Sequence, residues 1–240
     1  MRIAKPLVVT IDGPSGTGKS TAARLLAKRL GYLYLDTGAM YRAIALKAVE
    51  KRVSLTDRSG LTKLAGRSRI AFRVDPGHRL RVLLDGSDVT EAIRRPEISE
   101  AASRVATVPG VRQALVRQQR MLGAQGRIVV EGRDTGTVVF PKAPLKFFLT
   151  ATPAERARRR LSDLRKAGHT AALPRVLKEV KRRDLRDRRR AASPLRVPKG
   201  AVRIDNSRLK LAQVVAIMAD YAHRIINHHR RGNGIERRAV

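Results

Sequence analysis

Residues 13–20 run Gly-Pro-Ser-Gly-Thr-Gly-Lys-Ser. The order fits G-x-x-x-x-G-K-[ST], a loop whose backbone cradles phosphate. The flanks agree with it. Leu7 to Ile11 is a short apolar run that reads as a buried strand, and Thr21 to Leu30 reads as a helix with Ala22, Leu25, Leu26 and Leu30 along one side. On its own the stretch would also fit a plain glycine turn with a solvated lysine. A strand before it and a helix after it weigh against that. Gly13, Gly16 and Gly18 permit backbone angles closed to other residues and let amide hydrogens approach phosphate oxygens with no Cβ in the way. The helix that follows adds the positive end of its dipole. Lys19 is then expected to reach the β and γ phosphates, and the Ser20 hydroxyl to ligate Mg2+.

Length and composition narrow the setting. A chain of 240 residues buries a full core without staples. Without cysteine there is no disulfide and no thiolate metal site, which suits a reducing compartment. The first strand begins close to Met1, so no signal peptide is expected, and no apolar run approaches the ~20 residues of a membrane span. The expected location is the cytoplasm, with no membrane contact, and the expected state is a monomer. The formal charge of +32 calls for acidic partners: nucleotides, nucleic acid or an anionic surface. Aromatic residues make up 3% of the chain, a poor supply of stacking platforms for single strands, so the charge alone supports no more than nonspecific adhesion to nucleic acid.

Strands and helices alternate along the chain. Tyr32 to Leu35 reads as a second strand that delivers Asp36-Thr37-Gly38 to its C-terminal end, where ligands bind in open α/β sheets. A helix follows from Ala39 to about Val49, then a short one from about Thr56 to Ala65. Arg69 to Val74 and Leu80 to Leu84 alternate around the turn Asp75-Pro76-Gly77, with Val89-Thr90 as a short third strand. Ile93 to Leu122 reads as mostly helical, broken near Pro109-Gly110. Arg127 to Glu131 and Lys146 to Thr150 return to buried strands, and Pro153 opens a helix. From Arg156 to Arg190 there are fifteen Lys/Arg against four Asp/Glu. Such a run is a solvated face or, beside a phosphate loop, a mobile lid. Val202 to Asp205 is the last strand. Leu209 to His228 is a closing helix whose apolar side carries Leu211, Val214, Val215, Ile217, Met218, Tyr221 and Ile225. A disordered basic tail is expected over 229–240.

Six segments together carry a family likeness. They are IDGPSGTGKST (11–21), YLDTGAMYRA (34–43), AASRVA (101–106), VRQAL (111–115), EGRDTGTVVFP (131–141) and KRRDLRDRRRAASPL (181–195). With them the chain resembles the bacterial cytidylate kinases, within the nucleoside monophosphate kinases, from about Pro6 to Tyr221. The first segment marks any phosphate-loop protein; the other five together are specific. The resemblance implies an α/β fold with a parallel core sheet (1–37, 126–152, 196–228), an inserted nucleoside-monophosphate-binding domain (38–125) and a helical lid (153–195). It implies transfer of the γ-phosphoryl of ATP to CMP or dCMP, giving ADP and CDP or dCDP, with Mg2+ as cofactor.

Residue roles follow from the same resemblance. Gly13, Pro14, Ser15, Gly16, Thr17, Gly18, Lys19, Ser20 and Thr21 would bind ATP. Lys19, Arg133 and Arg190 would be the catalytic charges. Thr37, standing where relatives often carry serine, would share the acceptor nucleotide with Arg42, Ser103, Arg112, Arg133, Asp134, Arg183, Asp187 and Arg190. Guanidinium forks hold and neutralise phosphates that must meet head to head. An arginine can serve the O2 and N3 acceptors of cytosine and a carboxylate its 4-amino group, which suits Arg112 and Asp134. Asp134 fits equally as a partner of Arg133 or a helix cap, and Arg183 with Asp187 fits an i,i+4 pair on a helix face. The lid register rests on Arg183-x-x-x-Asp187-x-x-Arg190. Glu131 stands where many relatives carry aspartate, and would hold Mg2+ through water. Two other readings stay open: a phosphate-loop kinase with a different small-molecule acceptor, and a nucleic-acid-binding protein that uses ATP as a switch or not at all.

Overall fold

The computed structural model describes residues 7–76, 79–166 and 168–235, with side chains as far as Asn227. In chain order the elements begin with β1 (Val8–Asp12), α1 (Lys19–Leu30), β2 (Leu33–Asp36), α2 (Thr37–Glu50) and α3 (Arg58–Arg67). Next come β3 (Ile70–Val74), β4 (Leu80–Leu84), β5 (Ser87–Asp88), α4 (Pro96–Val105) and α5 (Pro109–Leu122). The chain closes with β6 (Ile128–Gly132), β7 (Leu145–Thr150), α6 (Pro153–Lys166), α7 (Leu173–Arg189), β8 (Val202–Asp205) and α8 (Leu211–Ile235). They form two compact units. One comprises Met1–Tyr34, Gly123–Arg189 and Ser193–Val240; the other comprises Leu35–Leu122 and Arg190–Ala192.

The first unit holds a five-stranded sheet in the order β2-β6-β1-β7-β8. The pairings of β1 with β6 and β7, and of β7 with β8, are parallel. β1 is central and loses water on both faces, so Val9, Thr10, Ile11 and Asp12 are all buried and its burial does not alternate. Its register sets Asp12 level with Gly132 on one side and Phe148 on the other. The C-terminal ends of three strands therefore lie together, below the loops that follow them. The core joins Val9, Ile11, Val129, Phe147 and Leu149 of the sheet to Leu26 of α1 and Met218 of α8.

Both covering helices pack more tightly than their large side chains suggest. On α1 the buried apolar positions are Ala22, Ala23, Leu26 and Ala27, while Leu25 is 38% exposed. On α8, Val214, Val215, Met218, Ala219 and Ala222 are buried, whereas Leu211, Ile217 and Tyr221 lie on the flanks. Alanine lets a helix axis approach the sheet closely, so the contact centres on the small residues and pushes neighbouring large ones outward. Tyr221 still sets its ring edge-on to Phe147, with centroids 6.2 Å apart. α1 starts at Lys19, two residues before the sequence suggests, because Gly18 at φ 80° turns the chain directly into the helix. The backbone of α8 runs past His228 to Ile235, since no proline interrupts it. Of the expected tail, residues 229–235 carry this helical backbone, and residues 236–240 lie outside the described residues. α6 and α7 share a small core of Ala157, Leu161, Val176 and Val180.

The second unit packs α2 on α4 and α3 on α5, beside the antiparallel sheet β3-β4-β5. Asp36 caps α2 by accepting from the Ala39 N–H at 2.8 Å, and Asp57 caps α3 by accepting from the Gly60 N–H at 2.9 Å. The third strand is Ser87–Asp88 rather than Val89-Thr90. Asp85 (φ 52°) and Gly86 (φ 92°) form a two-residue turn, so pairing resumes at once, Leu84 opposite Ser87. The helical stretch after Ile93 is broken twice, ahead of Pro96 and ahead of Pro109, each proline opening a new helix. Among the described residues, no helix is long and apolar enough to cross a membrane.

The exposure difference on α1 sets a test of the packing. Leu26→Ala should cost ~2–5 kcal/mol of unfolding free energy, and Leu25→Ala under ~1 kcal/mol, measured by urea denaturation of both variants.

Candidate functional site

Residues 13–18 connect β1 to α1 under tight restraint. A Cβ on Gly13 (φ 148°) would run into the Leu149 carbonyl oxygen, so only glycine fits there. Gly16 and Gly18 sit in the left-handed region at φ 77° and 80°. Successive amides in such a turn form a concavity that attracts anions. The Lys19 ammonium donates to the Pro14 carbonyl at 2.7 Å and to Thr17 Oγ1 at 3.3 Å. Burial, and after it the neighbouring Arg133 guanidinium, push the Lys19 pKa down to about 7. Ser20 at the first turn of α1 donates its hydroxyl proton to Glu131 Oε1 at 2.6 Å, and the Tyr34 phenol donates to the same oxygen at 3.3 Å.

Other contacts come from outside the loop. Arg156 of α6 is 2% exposed. It donates to the Ser15 carbonyl at 3.1 Å, to the Ala151 carbonyl at 3.0 Å, and through two nitrogens to the Asp184 carboxylate at 2.9 and 2.6 Å. Asn206, just past β8, donates its amide to the Thr17 carbonyl at 2.6 Å. Arg159 donates to Asn206 Oδ1 at 3.2 Å and to the Asn206 carbonyl at 2.8 Å.

The segment after β6 is fixed by Asp12. Its Oδ1 accepts from the Thr135 N–H and the Thr135 hydroxyl, both at 2.8 Å, and its Oδ2 accepts from the Gly136 N–H at 2.7 Å. Residues 135–139 form one wide turn of π-helix, in which the Phe140 N–H reaches the Thr135 carbonyl at 2.7 Å. Burial outweighs these bonds and raises the Asp12 pKa to about 6. Arg133 points its Nε at Asp187 Oδ2 at 2.9 Å. Its charge is desolvated, yet Asp187 and then Glu131 hold its pKa above the usual arginine value. Asp134 is buried and makes no side-chain cap bond to the turn that follows.

Within the first unit the structure therefore gathers Gly13 to Ser20, Glu131 and Arg133, with Asp187 on Arg133. Asp134 follows directly in the chain, and the Arg183 charge acts on Lys19. The second unit holds Thr37, Arg42, Ser103, Arg112 and Arg190. Thr37 begins α2 and is buried. Arg42 donates to Asp36 Oδ2 at 2.7 Å, an ion pair to the residue that caps its own helix. Arg112 is buried, donates to the Ala106 carbonyl at 3.1 Å and lies over the Tyr41 ring, 5.3 Å from its centroid. Ser103 is buried on α4, and Arg190 is buried where its neighbour Arg189 is exposed.

A family model described as cytidylate kinase matches residues 9–224. The cytidylate kinase of Pelotomaculum thermopropionicum is 50% identical over 210 residues, covering 88% of this chain and 93% of that protein. The chain belongs to the cytidylate kinase family. The cytidylate kinases of Desulforamulus reducens (47% identity; 86% of this chain and 92% of the relative) and Azotobacter vinelandii (46%; 92% and 97%) agree.

Sequence reading missed Asp12, Arg156, Arg159, Asp184 and Asn206. Asp12 left one clue, an acid ending an apolar strand next to the glycine loop. Arg156 and Asp184 left none, because both sit in a run rich in charge and only the packing of α6 and α7 singles them out.

The raised Asp12 pKa carries a pH signature. Between pH 3.8 and about 6 the folded state holds a proton on Asp12 that the unfolded state has lost, so ionisation there weakens folding as pH rises. The charges facing Asp12 are Lys19, Arg133 and Asp134. Relative to Asp12→Asn, the wild type should lose about 2 kcal/mol of stability between pH 4.5 and 7, read from urea melts at the two values. A constant difference would remove Asp12 from the account.

Proposed function

We propose that the protein transfers the γ-phosphoryl group of ATP to CMP or dCMP, giving ADP and CDP or dCDP. The observation that carries this is the joining of a restrained phosphate loop to family membership over residues 9–224. In the first unit, residues 13–21 take the ATP phosphates. Lys19 exchanges its neutral carbonyl and hydroxyl partners for charged phosphate oxygens, which bind an ammonium more strongly. Phosphate also favours the charged form of a lysine whose pKa burial has brought to about 7.

Mg2+ fits the donors present. Ser20 and Glu131 offer hard oxygen atoms at the mouth of the loop, 2.6 Å apart. Among the described residues there is no cluster of three or more His, Cys, Asp or Glu side chains that could cage a metal. That suits an ion held by one or two protein oxygens, waters and the phosphates themselves. Ser20 would ligate it and Glu131 would hold it through water. When bound, the ion neutralises charge on the transferring phosphates.

By family resemblance the residues for the acceptor nucleotide are Thr37, Arg42, Ser103, Arg112, Arg133, Asp134, Arg183, Asp187 and Arg190. An acceptor phosphate oxygen is already a nucleophile, so the protein's part is alignment and charge neutralisation by Lys19, Arg133 and Arg190. Arg133 is held by Asp187, which keeps its fork oriented before phosphate arrives. Arg112 is fixed over Tyr41 by a carbonyl and a ring, and reads the acceptors of cytosine. The same reading makes the protein a cytoplasmic monomer. Its +32 charge adds salt-sensitive adhesion to nucleic acid.

A panel of nucleoside monophosphates in an ADP-release assay tests the assignment, with CMP and dCMP expected to exceed UMP, AMP and GMP. Asp134→Asn sharpens it. A carboxylate accepts from the cytosine amino group and repels the uracil oxygen, while an amide can rotate to serve either. The CMP/UMP ratio of kcat/KM should fall by roughly one to two powers of ten, and the rate with CMP should fall too. An unchanged ratio would mean that Asp134 supports the loop and does not read the base.

A further inference from the structure

The phosphate loop owes its geometry to side chains that lie outside its motif. In a trans peptide the C=O and N–H of one plane point in opposite directions. No peptide bond among the described residues is cis. Fixing the Ser15 carbonyl therefore aims the Gly16 N–H the other way, and fixing the Thr17 carbonyl aims the Gly18 N–H. Both carbonyls are held from behind. Arg156 donates to the first at 3.1 Å and Asn206 to the second at 2.6 Å. Arg156 also limits the loop sterically, since a Cβ on Gly16 would meet its Cβ at 3.2 Å.

Each clamp is itself held. Arg156 spends three further donor contacts on the Ala151 carbonyl and on the Asp184 carboxylate of α7, so its fork cannot turn. Asn206 has its Oδ1 fixed by Arg159, which leaves the Nδ2 end for Thr17. Arg156 and Arg159 are three residues apart on α6 and thus lie on one face of that helix. Arg159 is in turn paired with Glu155 at 3.0 Å. One face of α6 thus braces two peptides of the loop, directly through Arg156 and at one remove through Arg159 and Asn206.

We propose that Arg156 and Asn206 are positioning residues of the ATP site, which aim the Gly16 and Gly18 amides at the donor phosphates. The proposal rests on the reading of residues 13–21 as that site. The variants for testing it keep the fold's main demands. Arg156→Lys retains a positive partner for Asp184 but loses the fork that reaches Ser15 at the same time. Asn206→Leu retains shape, adds no charge and removes the donor to Thr17. Calorimetric titration with ADP and, separately, with CMP is compared with wild type, beside a thermal melt.

The Kd for ADP should rise roughly ten- to a hundredfold in each variant, with the CMP Kd within about twofold and the melting temperature near wild type. Unchanged ADP affinity in the folded variants overturns the proposal. So does equal weakening of ADP and CMP with a lowered melt, which marks a general structural role. Lys19→Met separates failure of the clamps from failure of the site. If it weakens ADP binding while the two clamp variants do not, the clamps alone are wrong. If it too leaves ADP affinity unchanged, the donor phosphates bind elsewhere and both readings fall.

Discussion

The parallel pairing of β1 with β6 governs the first unit. Because Asp12 lies level with Gly132, its carboxylate meets the backbone of Thr135 and Gly136 as soon as the chain leaves the sheet. The same register puts the phosphate loop beside Glu131, so that Ser20 reaches it. A slip by one residue would turn every side chain of β1 to the other face of the sheet. The core and the loop would then be lost together.

Charge within this unit is arranged very differently from charge on the whole chain. The protein carries a formal +32, yet two arginines near the loop are each matched by a carboxylate. Arg156 lies on Asp184 and Arg133 on Asp187. Removing one member of such a pair leaves a desolvated charge uncompensated, which costs far more than losing a surface ion pair. Lys19 differs from the two arginines: neutral oxygens hold it, and burial depresses its pKa. It is the cation that gains most from a phosphate. Stored electrostatic demand is thus concentrated on one side chain, while its neighbours are already satisfied.

What could be read from sequence was local. The glycines at 13, 16 and 18, the lysine after them and the flanking strand and helix all lie within one short span, so the loop was legible before any fold was known. The parallel core and the inserted hairpin were legible from periodicity and turns. Asp12 was not, because its partners come 123 residues later and the pairing of β1 with β6 brings them to it. Arg156 was hidden among fifteen basic residues that look alike in sequence; packing against Asp184 distinguishes it. Leu25 and Ile217 misled for the opposite reason. Large apolar side chains suggest the centre of a buried face, but here Leu26 and Met218 with neighbouring alanines occupy it.

The clamp on Thr17 spans 189 residues of chain. Loop closure over such distances is slow, and contacts of this kind form late in folding. A ribosome adding residues in order would have made β1, α1 and residues 35–122 of the second unit long before Asn206 emerged. Until residues 128–150 are made, the strand lacks β6 and β7 as neighbours and the glycine loop lacks both of its braces. The nascent chain thus carries an exposed apolar strand edge through most of its synthesis, the condition under which newly made proteins most need protection from aggregation.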